Sequence, residues 1–409
     1  MGLPLTRAGS RIPGTEVDEV VAGPAVVVSG ALANKPKNGG EAWVRMSWIR
    51  GLQRLGCEVT FVEEIAERAC VDDVGRPENF KRSLNRRWFG SVVGSFGLDK
   101  SSSLLCGRRA TIGLERSVVE DRLAQCDLLV NISGNLVDEK LRARARRTAY
   151  VDLDPGFTQF WLGCPERNFE LQDHDCYFTV GANIGTPECS IPTGGISWIP
   201  MWPPVVLEDW FVANTERRPK PRFTTVGSWR GPFGPVERDG ERLGLKVHEF
   251  RKFIGVPEAV GDAQFEIALS IDPIETADLE LLAAHRWNLV DPVESAGTPD
   301  YFARYVAASD AEFSVAQEMY VATRSGWFSD RTTRYLASGR PVLVQDTGFA
   351  ERLPTGRGLL AFSDVGSAVA GARSILDDYP EHARAARMIA EEHFDSDRVL
   401  GAFLARCLP

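Results

Sequence analysis

Apolar runs and amphipathic stretches alternate along this chain. Residues 25–29 are almost entirely apolar, as expected of a buried parallel strand. The stretch after them places apolar side chains at helical spacing: Trp43, Met46, Ile49, Leu52 and Leu55. Gly56 suits the end of such a helix, and residues 57–63 have the composition of a second strand. This order predicts a βαβ unit near the N-terminus.

The same alternation continues to the C-terminus. Further strands are predicted at 127–132 and 149–153, and then at 222–226, 265–271, 312–315, 341–345 and 359–362. Helices in the second half are predicted at 244–254, 276–286, 298–308, 330–338 and 365–377. A last helix carries Val399, Leu400, Phe403, Leu404 and Cys407 on one face, so it must dock on an apolar surface. The pattern predicts an α/β protein built from two units.

The length agrees with two units, because 409 residues are too many for one ordinary core. We predict a flexible leader over 1–22, an N-terminal domain over 23–200, a C-terminal domain over 201–390 and a closing helix over 391–409. The segment 192–204 is rich in proline, glycine and tryptophan, and we interpret it as the crossing between the domains. A long surface loop is the alternative.

Charge and cysteine content narrow the function classes. The net charge of -9 argues against a nucleic-acid partner. The eight cysteines form no CxxC pair and show no metal-ligand spacing with the five histidines, so we predict no metal site and reduced thiols. No apolar signal-peptide core and no membrane-spanning run of ~18 residues is found. We expect a cytoplasmic protein, and a homodimer is left open as its assembly.

Two glycine-containing segments open helices and are candidate anion sites. One is Asn38-Gly39-Gly40, and the other runs from Arg324 through Ser329, Asp330, Arg331 and Thr332. Backbone N–H groups at a helix start are free to bind phosphate. Arg324 or Arg331 would neutralise the charge that develops on a leaving group. The alternative is that Ser329 or Asp330 only caps the helix and that Arg331 is a solvated surface residue.

Polar residues at a strand end supply candidates for a general base. Asp152 and Asp154 end the predicted strand 149–153, and carboxyl ends of parallel strands face the ligand crevice of open α/β sheets. Either carboxylate could accept a proton from an acceptor hydroxyl, and an Asx turn at Asp154 is an equal alternative. His174, with Asp175 orienting its ring, is a second candidate base, and a structural histidine is its alternative.

The segment 325–348 carries a resemblance to a known family. Its order is loop, helix, the turn Ala337-Ser338-Gly339-Arg340-Pro341, an apolar strand and then Asp346-Thr347-Gly348. This order resembles the donor-binding part of the GT-B glycosyltransferases, most of all the bacterial family-4-type branch. The resemblance covers most of residues 25–405 and is strongest at 325–362. It implies two Rossmann-like domains facing across a cleft, with the C-terminal helix returning to the N-terminal domain.

The resemblance also implies an activity and further site residues. The C-terminal domain would bind a nucleotide-sugar (a UDP-, GDP- or dTDP-sugar) as co-substrate, without metal or other cofactor, and retention is the default outcome. The N-terminal domain would bind a small-molecule or glycan acceptor. Arg230 matches a phosphate-binding position, whereas Lys246 and Lys252 are better explained as helix-surface charges. Asp346, Thr347 and Gly348 would touch the hydroxyls of the transferred sugar, or else form a turn.

The chain departs from the family in one place. The family's two glutamates would fall on Gly326 and Arg334, neither of which can act as a carboxylate. Asp330, one helical turn before Arg334, is the candidate substitute. This departure favours a non-catalytic nucleotide-sugar-binding protein as one alternative to a glycosyltransferase. A sugar-nucleotide epimerase or hydrolase is another alternative, because that group shares the two-domain architecture.

Overall fold

The computed structural model describes residues 23–107, 110–162, 171–212, 218–231, 233–238 and 240–408. The predicted leader over 1–22 lies outside the described residues, as does Cys164. Within the described part of the chain, none of the helices combines the length and the hydrophobicity that crossing a membrane requires.

The first unit is built on an eight-stranded sheet. Its strands are β1 (Ala25–Ser29), β2 (Glu58–Ile65), β3 (Ser102–Cys106), β4 (Ala110–Gly113), β5 (Leu128–Ile132), β6 (Thr148–Asp152), β7 (Cys176–Thr179) and β8 (Trp198–Pro200). They lie in the order β4-β3-β2-β1-β5-β6-β7-β8, and only β4 runs antiparallel to its neighbour. The helices are α1 (Gly39–Arg54), α2 (Leu84–Ser95), α3 (Arg116–Gln125), α4 (Glu139–Arg142) and α5 (Phe157–Phe160).

The second unit holds a six-stranded parallel sheet and a hairpin. The sheet contains β9 (Arg222–Ser228), β12 (Gln264–Ser270), β13 (Trp287–Val290), β14 (Ala311–Ser314), β15 (Val342–Gln345) and β16 (Leu359–Phe362), in the order β13-β12-β9-β14-β15-β16. The hairpin is β10 (Val236–Arg238) with β11 (Glu241–Leu243). Both sheets therefore have a doubly wound order, and ligands of such sheets bind where the strand order reverses, at the carboxyl ends of the strands.

The second half of the chain contains the remaining helices of the described residues. They are α6 (Lys246–Phe250), α7 (Val256–Val260), α8 (Thr276–Ala284), α9 (Pro292–Ala296), α10 (Pro299–Ala308), α11 (Glu318–Ala322), α12 (Asp330–Ala337), α13 (Val365–Asp377), α14 (Tyr379–Ile389) and α15 (Ser396–Cys407). Single 3₁₀ turns occupy Glu67–Ala69, Leu207–Asp209, Arg251–Phe253 and Phe349–Glu351, and Ala390–Phe394 is a π-helical turn.

The last helix returns to the first unit, as the resemblance implied. The ring of Phe403 in α15 packs edge-on against Trp48 of α1, with centroids 5.1 Å apart, and lies 4.6 Å from Phe178 of β7. Arg54 at the end of α1 forms a two-pronged hydrogen bond with Asp397, at 2.9 and 2.8 Å. The apolar face predicted for this helix is thus buried on the first unit.

The segment 192–204 differs from its interpretation as a crossing. Residues 198–200 form β8, which pairs with β7 at the edge of the first sheet, so most of this segment belongs to the first unit. Its end does contact the second unit, because Trp202 packs on Phe328. Three residues containing a proline carry too little alternation to reveal a strand from sequence.

Candidate functional site

The glycine pair at the start of α1 is a contact between the two units. Asn38 caps the helix, since its Oδ1 accepts a hydrogen bond from the Glu41 N–H at 3.1 Å. A Cβ atom on Gly39 would lie only 2.1 Å from the carbonyl oxygen of Thr298, and one on Gly40 would meet α10 at 3.2 Å. The glycines therefore serve close packing against the second unit. The expected phosphate contact of Gly39 and Gly40 does not fit this geometry.

Alanine at position 39 is predicted to destabilise the protein. The added methyl group must displace backbone of the second unit, and such overpacking costs about 1–3 kcal/mol. Gly401 of α15 is a matched control, because a Cβ there meets nothing within 4 Å. In thermal unfolding, Gly39→Ala should lower the midpoint, and Gly401→Ala should leave it unchanged or slightly higher. Equal midpoints for the two variants would contradict the packing role.

The carboxyl edge of the first sheet carries a small charged cluster. Arg45 of α1 is 3% exposed, and its Nη1 lies 3.1 Å from the Glu41 carboxylate. Lys35 approaches the same carboxylate to 3.8 Å. Burial raises the pKa of Glu41, but the positive charges of Arg45 and Lys35 outweigh it and leave that pKa below its usual value. Among the described residues, nothing accepts a hydrogen bond from Nε of Arg45.

The Arg45 guanidinium occupies the space above the ends of β1 and β5. A Cβ on Gly30 would lie 3.0 Å from Nε of Arg45 and 3.5 Å from Ile132. Glu63 holds the neighbouring loop, because its carboxylate accepts the N–H groups of Ala33 and Asn34 at 2.5 and 2.8 Å. Burial raises the pKa of Glu63 to about 7. Sequence reasoning missed Arg45, although its position four residues after Glu41 was a usable signal.

The two aspartates at the end of β6 have different roles. Asp152 is 1% exposed, and its carboxylate accepts hydrogen bonds from the side chains of Thr158, Gln159 and Thr179, each at 2.8 Å. It also receives the N–H of Asp154 at 3.1 Å. Asp152 therefore builds the loop, and Asp154 is the carboxylate that this loop presents.

Asp154 has the properties of a base poised near neutral pH. Its side chain is exposed to solvent. Partial desolvation by the surrounding protein, together with the negative charge of Glu41, raises the pKa of Asp154 to about 6. The next turn contacts the second unit, because Gly156 lies against Met319 of α11. Asp154 thus stands at the carboxyl edge of the first sheet, close to the opposing unit.

The structure does not bring His174 to this edge. His174 precedes β7, and its buried ring contacts Asn131, with Nε2 3.3 Å from Nδ2, and Tyr150. Asp175 does not orient the ring, because its carboxylate accepts the N–H and hydroxyl of Thr148 at 2.8 and 3.0 Å. Burial lowers the pKa of His174, so the imidazole is neutral at pH 7. His174 is thus a structural histidine, and the prediction that it acts as a base is contradicted by its buried position away from this edge.

The second sheet places a lysine and an arginine where its strand order reverses. Arg331, in the first turn of α12, donates to Glu312 at 2.6 Å, to Ser314 at 2.6 Å and to the carbonyl of Val226 at 3.0 Å. It therefore bridges the ends of β9 and β14. Its guanidinium is 13% exposed and its counter-ion Glu312 is fully buried, so Arg331 is part of the framework of the site.

Lys246 is the cation that this framework leaves available. Its ammonium group lies beside Gly227 at the end of β9, where a Cβ would be 3.2 Å away. Burial and the charge of Arg331 lower the pKa of Lys246 to about 7. None of the described carboxylates lies within ion-pair distance of it. The sequence interpretation of Lys246 as helix-surface charge is wrong, because the side chain is half-buried at the switch point.

The start of α12 adds backbone donors next to this cation. Residues 323–329 lead into this helix and form the α12 loop. Ser329 occupies the N-cap position without a side-chain capping bond, which leaves the first N–H groups of α12 open. Thr332 is 1% exposed, and its hydroxyl has no partner among the described residues. Ser329, Thr332, Ser314 and Gln345 line a small cavity at this point.

Asp330 and Arg334 form an ion pair within α12. Arg334 Nη1 lies 2.5 Å from the Asp330 carboxylate, and the arginine is 1% exposed. Both side chains line a cavity of about 30 Å³ between the units, together with Trp48 and Phe328. Nε and Nη2 of Arg334 have no hydrogen-bond partner among the described residues. Asp330 is thus tied to an arginine, so its availability as a substitute carboxylate is reduced.

Other predicted donor residues hold loops together. Arg230 pairs with Glu275 of the loop after β12, with one contact at 2.9 Å. Arg324 has an exposed side chain paired with Glu351. Both arginines are thus engaged by glutamates of neighbouring loops, and their assignment as phosphate ligands stays a prediction.

The segment after β15 also acts as a turn. Asp346 Oδ1 accepts the N–H groups of Gly348 at 2.9 Å and Ala350 at 3.3 Å. Thr347 donates its hydroxyl to Trp327 and accepts the N–H of Gly326, at 2.6 and 2.8 Å. These residues support the α12 loop from behind. The geometry therefore favours a structural turn at residues 346–348 over contact with a sugar.

The arrangement has two chemically distinct walls. The first wall presents Asp154 beside Glu41 and Arg45, and the second presents Lys246 and the start of α12. Among the described residues, no cluster of three or more histidine, cysteine, aspartate or glutamate side chains has the geometry to hold a metal ion. A base on one wall and an anion site on the other are the requirements of a group transfer from an anionic leaving group.

Comparison with known proteins finds similarity in the fold but not in the sequence. No protein-family model matches the chain, and the curated proteins give no match in sequence. Among solved structures, HepE from Anabaena, bound to UDP and glucose, is similar with a TM-score of 0.56 and 12% identity, over 94% of this chain and 100% of that one. An alpha-glucosyltransferase bound to UDP and a 13-mer DNA containing an HMU base is similar with a TM-score of 0.53 and 11% identity, over 94% and 99%. The chain therefore has the GT-B fold.

Proposed function

We propose that the protein is a glycosyltransferase that moves a sugar from a nucleotide-sugar to an acceptor hydroxyl. The observation that carries this proposal is that the edges of the two sheets meet. Leu153, which precedes Asp154, lines one cavity together with Asp330 at the start of α12, and Lys246 lies beside Gly227 at the strand-order reversal of the second sheet. The bound UDP of two proteins with the same fold supports a uridine nucleotide as donor. Placement in the family-4-type branch and a cytoplasmic location belong to the same proposal.

Each wall has one task in this mechanism. In the second unit, proposed to span 201–390, Lys246 and the open N–H groups of α12 bind the diphosphate and stabilise it as the glycosidic bond breaks. Arg331 keeps the ends of β9 and β14 together beneath it. In the first unit, proposed to span 23–200, Asp154 accepts the proton of the acceptor hydroxyl. Because Lys246 supplies the positive charge, we expect transfer to proceed when divalent metals are chelated.

The lowered pKa of Lys246 predicts a pH dependence of binding. In the free protein its pKa is about 7, and a bound diphosphate must raise that value because it favours the charged form. Below pH 7 the lysine is already charged, so affinity is flat. Above pH 7 binding must take up a proton, so affinity should fall by up to about tenfold per pH unit.

Calorimetric titration of UDP across this range measures the effect. The protonation of UDP itself is common to all variants, and Lys246→Ala provides the comparison because it lacks the titrating group. The wild-type protein should lose affinity above pH 7 while the variant does not. Parallel profiles for the two proteins would contradict the assignment.

The proposal is tested by ligand stabilisation followed by turnover. Thermal unfolding is recorded with UDP, GDP, dTDP, ADP and NAD, each without metal. A ligand at 100 times its dissociation constant adds about 2.7 kcal/mol to stability, which shifts the midpoint visibly. A shift with one nucleoside diphosphate supports the donor site, and a shift with NAD alone contradicts it.

A non-catalytic nucleotide-sugar-binding protein is the second candidate, and Arg334 favours it. A buried arginine stands where the resemblance places a glutamate. The two candidates separate in an assay with a radiolabelled nucleotide-sugar. A transferase releases the nucleoside diphosphate and moves the label, whereas a binding protein retains the donor intact.

A further inference from the structure

One asparagine of the first unit is inserted into the second. Asn183 follows β7, is 2% exposed and donates its backbone N–H to the Ser325 carbonyl at 3.1 Å. Its Nδ2 donates to the carbonyls of Arg324 and Gly348, each at 3.1 Å. Its Oδ1 accepts from Nε of Arg352 at 2.7 Å. All the polar groups of this side chain are thus satisfied by the opposite unit.

Two glycines of the second unit leave the space that Asn183 fills. Gly326, in the α12 loop, has φ 71°, and a Cβ there would lie 2.8 Å from the Asn183 nitrogen. Gly348, after β15, has φ 95°, and a Cβ there would lie 2.6 Å from Asn183 Nδ2. Both positions need glycine for their left-handed backbone as well as for the close approach. Gly326 is also the position where the family resemblance places the first glutamate.

The contacts around Asn183 form a continuous strip. Gly181 pairs with Trp327 as an isolated antiparallel bridge, and the Ser190 N–H donates to the Thr323 carbonyl at 3.2 Å. The strip therefore runs along the α12 loop, from 323 to 327. The backbone of the segment that opens α12 is hydrogen-bonded to the first unit along this length. Rotation of the units away from each other breaks these bonds together.

We propose that Asn183 is a positioning residue that couples closure of the two units to the shape of the α12 loop. When the units are closed, Asn183 ties the α12 loop to the turn after β15 and so sets the direction of the first N–H groups of α12. When they open, the loop loses this support, and with it the arrangement that binds a diphosphate. This inference rests on the proposed function, because it assigns the diphosphate to that helix start.

The test compares Asn183→Ala with a matched buried asparagine. Asn85 is 1% exposed and bridges backbone groups of Ala33 and Val71, both at 2.8 Å and both within the first unit. Asn85→Ala should lower thermal stability but leave the α12 loop and the contacts between the units unchanged. UDP affinity is measured by calorimetry, and the radius of gyration of the ligand-free proteins by small-angle X-ray scattering.

Asn183→Ala should bind UDP about tenfold more weakly and show a larger radius of gyration than the wild type. Asn183→Asp should be weaker still, because its carboxylate oxygens would face the Arg324 and Gly348 carbonyl oxygens and repel them. If Asn183→Ala does not fold, Arg352→Ala removes one partner of Asn183 and should act in the same direction with a smaller effect. An Asn183→Ala protein that loses stability as Asn85→Ala does, with unchanged affinity and radius, overturns the inference.

The two measurements also separate this inference from the proposed function. If the wild-type protein binds no nucleoside diphosphate, the proposed function fails. In that case the radius of gyration alone decides whether Asn183 holds the units closed. A larger radius of gyration for Asn183→Ala than for the wild type supports this role of Asn183, and an equal radius overturns it.

Discussion

Replacing Lys246 with alanine is expected to weaken the binding of a nucleoside diphosphate by about 10- to 100-fold. Hydrogen bonds to a charged group contribute about 1.5–3 kcal/mol, and a half-buried ammonium group loses little of this to solvent. The fold should survive, because removal of Lys246 leaves the Arg331–Glu312 pair intact beneath it. Calorimetry with UDP measures the loss, and the far-ultraviolet circular dichroism spectrum reports the fold.

Lys252 provides the control for this variant. It lies in the turn that follows α6, and its exposed ammonium group already pairs with Glu249 at 2.5 Å and Glu318 at 3.6 Å. Lys252→Ala should therefore bind UDP as the wild type does. If both variants bind normally, or if Lys252→Ala is the weaker of the two, the diphosphate does not lie at the switch point of the second sheet.

Replacing Asp154 with asparagine should lower turnover by about 10²- to 10⁴-fold and leave donor affinity unchanged. This range is typical for the loss of a general base. The amide matches the carboxylate in size but cannot accept the proton at neutral pH. In the wild type, the base is active only when ionised, so kcat should rise with pH through about 6 and level off above it. Steady-state kinetics across this range measures both effects.

His174→Gln tests the competing assignment. Because the imidazole is buried among Asn131 and Tyr150, its loss should lower the midpoint of thermal unfolding. At a temperature where the variant is folded, its turnover should stay close to that of the wild type. If His174→Gln abolished turnover while Asp154→Asn retained it, the base would have to be reassigned. The base would also have to be reassigned if kcat of Asp154→Asn still fell below pH 6 as it does in the wild type.

The sequence predicted the elements that carry strong periodicity. The apolar run of β1 and the helix of α13 were placed at their observed bounds, Ala25–Ser29 and Val365–Asp377. β3, β7 and β13 were missed because they are short and mix serine, threonine or asparagine with apolar residues. Their strand character depends on neighbours in the sheet, which a local pattern does not contain.

The location of two candidate features was predictable, because it depends only on position along a strand or helix. Asp154 at a strand end and the start of α12 lie at the carboxyl edges of the two sheets, where the sequence argument placed them. The role of Gly39 was not predictable, because it depends on the Thr298 carbonyl more than 250 residues away. The same applies to Asn183, whose partners in the second unit follow it by 141 and 165 positions.

Sequence alone does not distinguish Lys246, a candidate binding residue, from a surface lysine. From sequence, it and Lys252 are two lysines of one helical stretch. Only the fold distinguishes them, because it buries one beside Gly227 and leaves the other in an exposed ion pair. A charge in a helix is a functional candidate when the fold brings it to a strand-order reversal.

The measurement that tests the central claim most directly is amide hydrogen exchange with and without UDP. Binding at the switch point should slow exchange in residues 226–230, 246–250 and 323–334, which surround Lys246 and the start of α12. The amino edge of the second sheet should be unaffected. Absence of protection in these segments at saturating UDP, or protection confined to other parts of the chain, would contradict a donor site in the cleft between the two units.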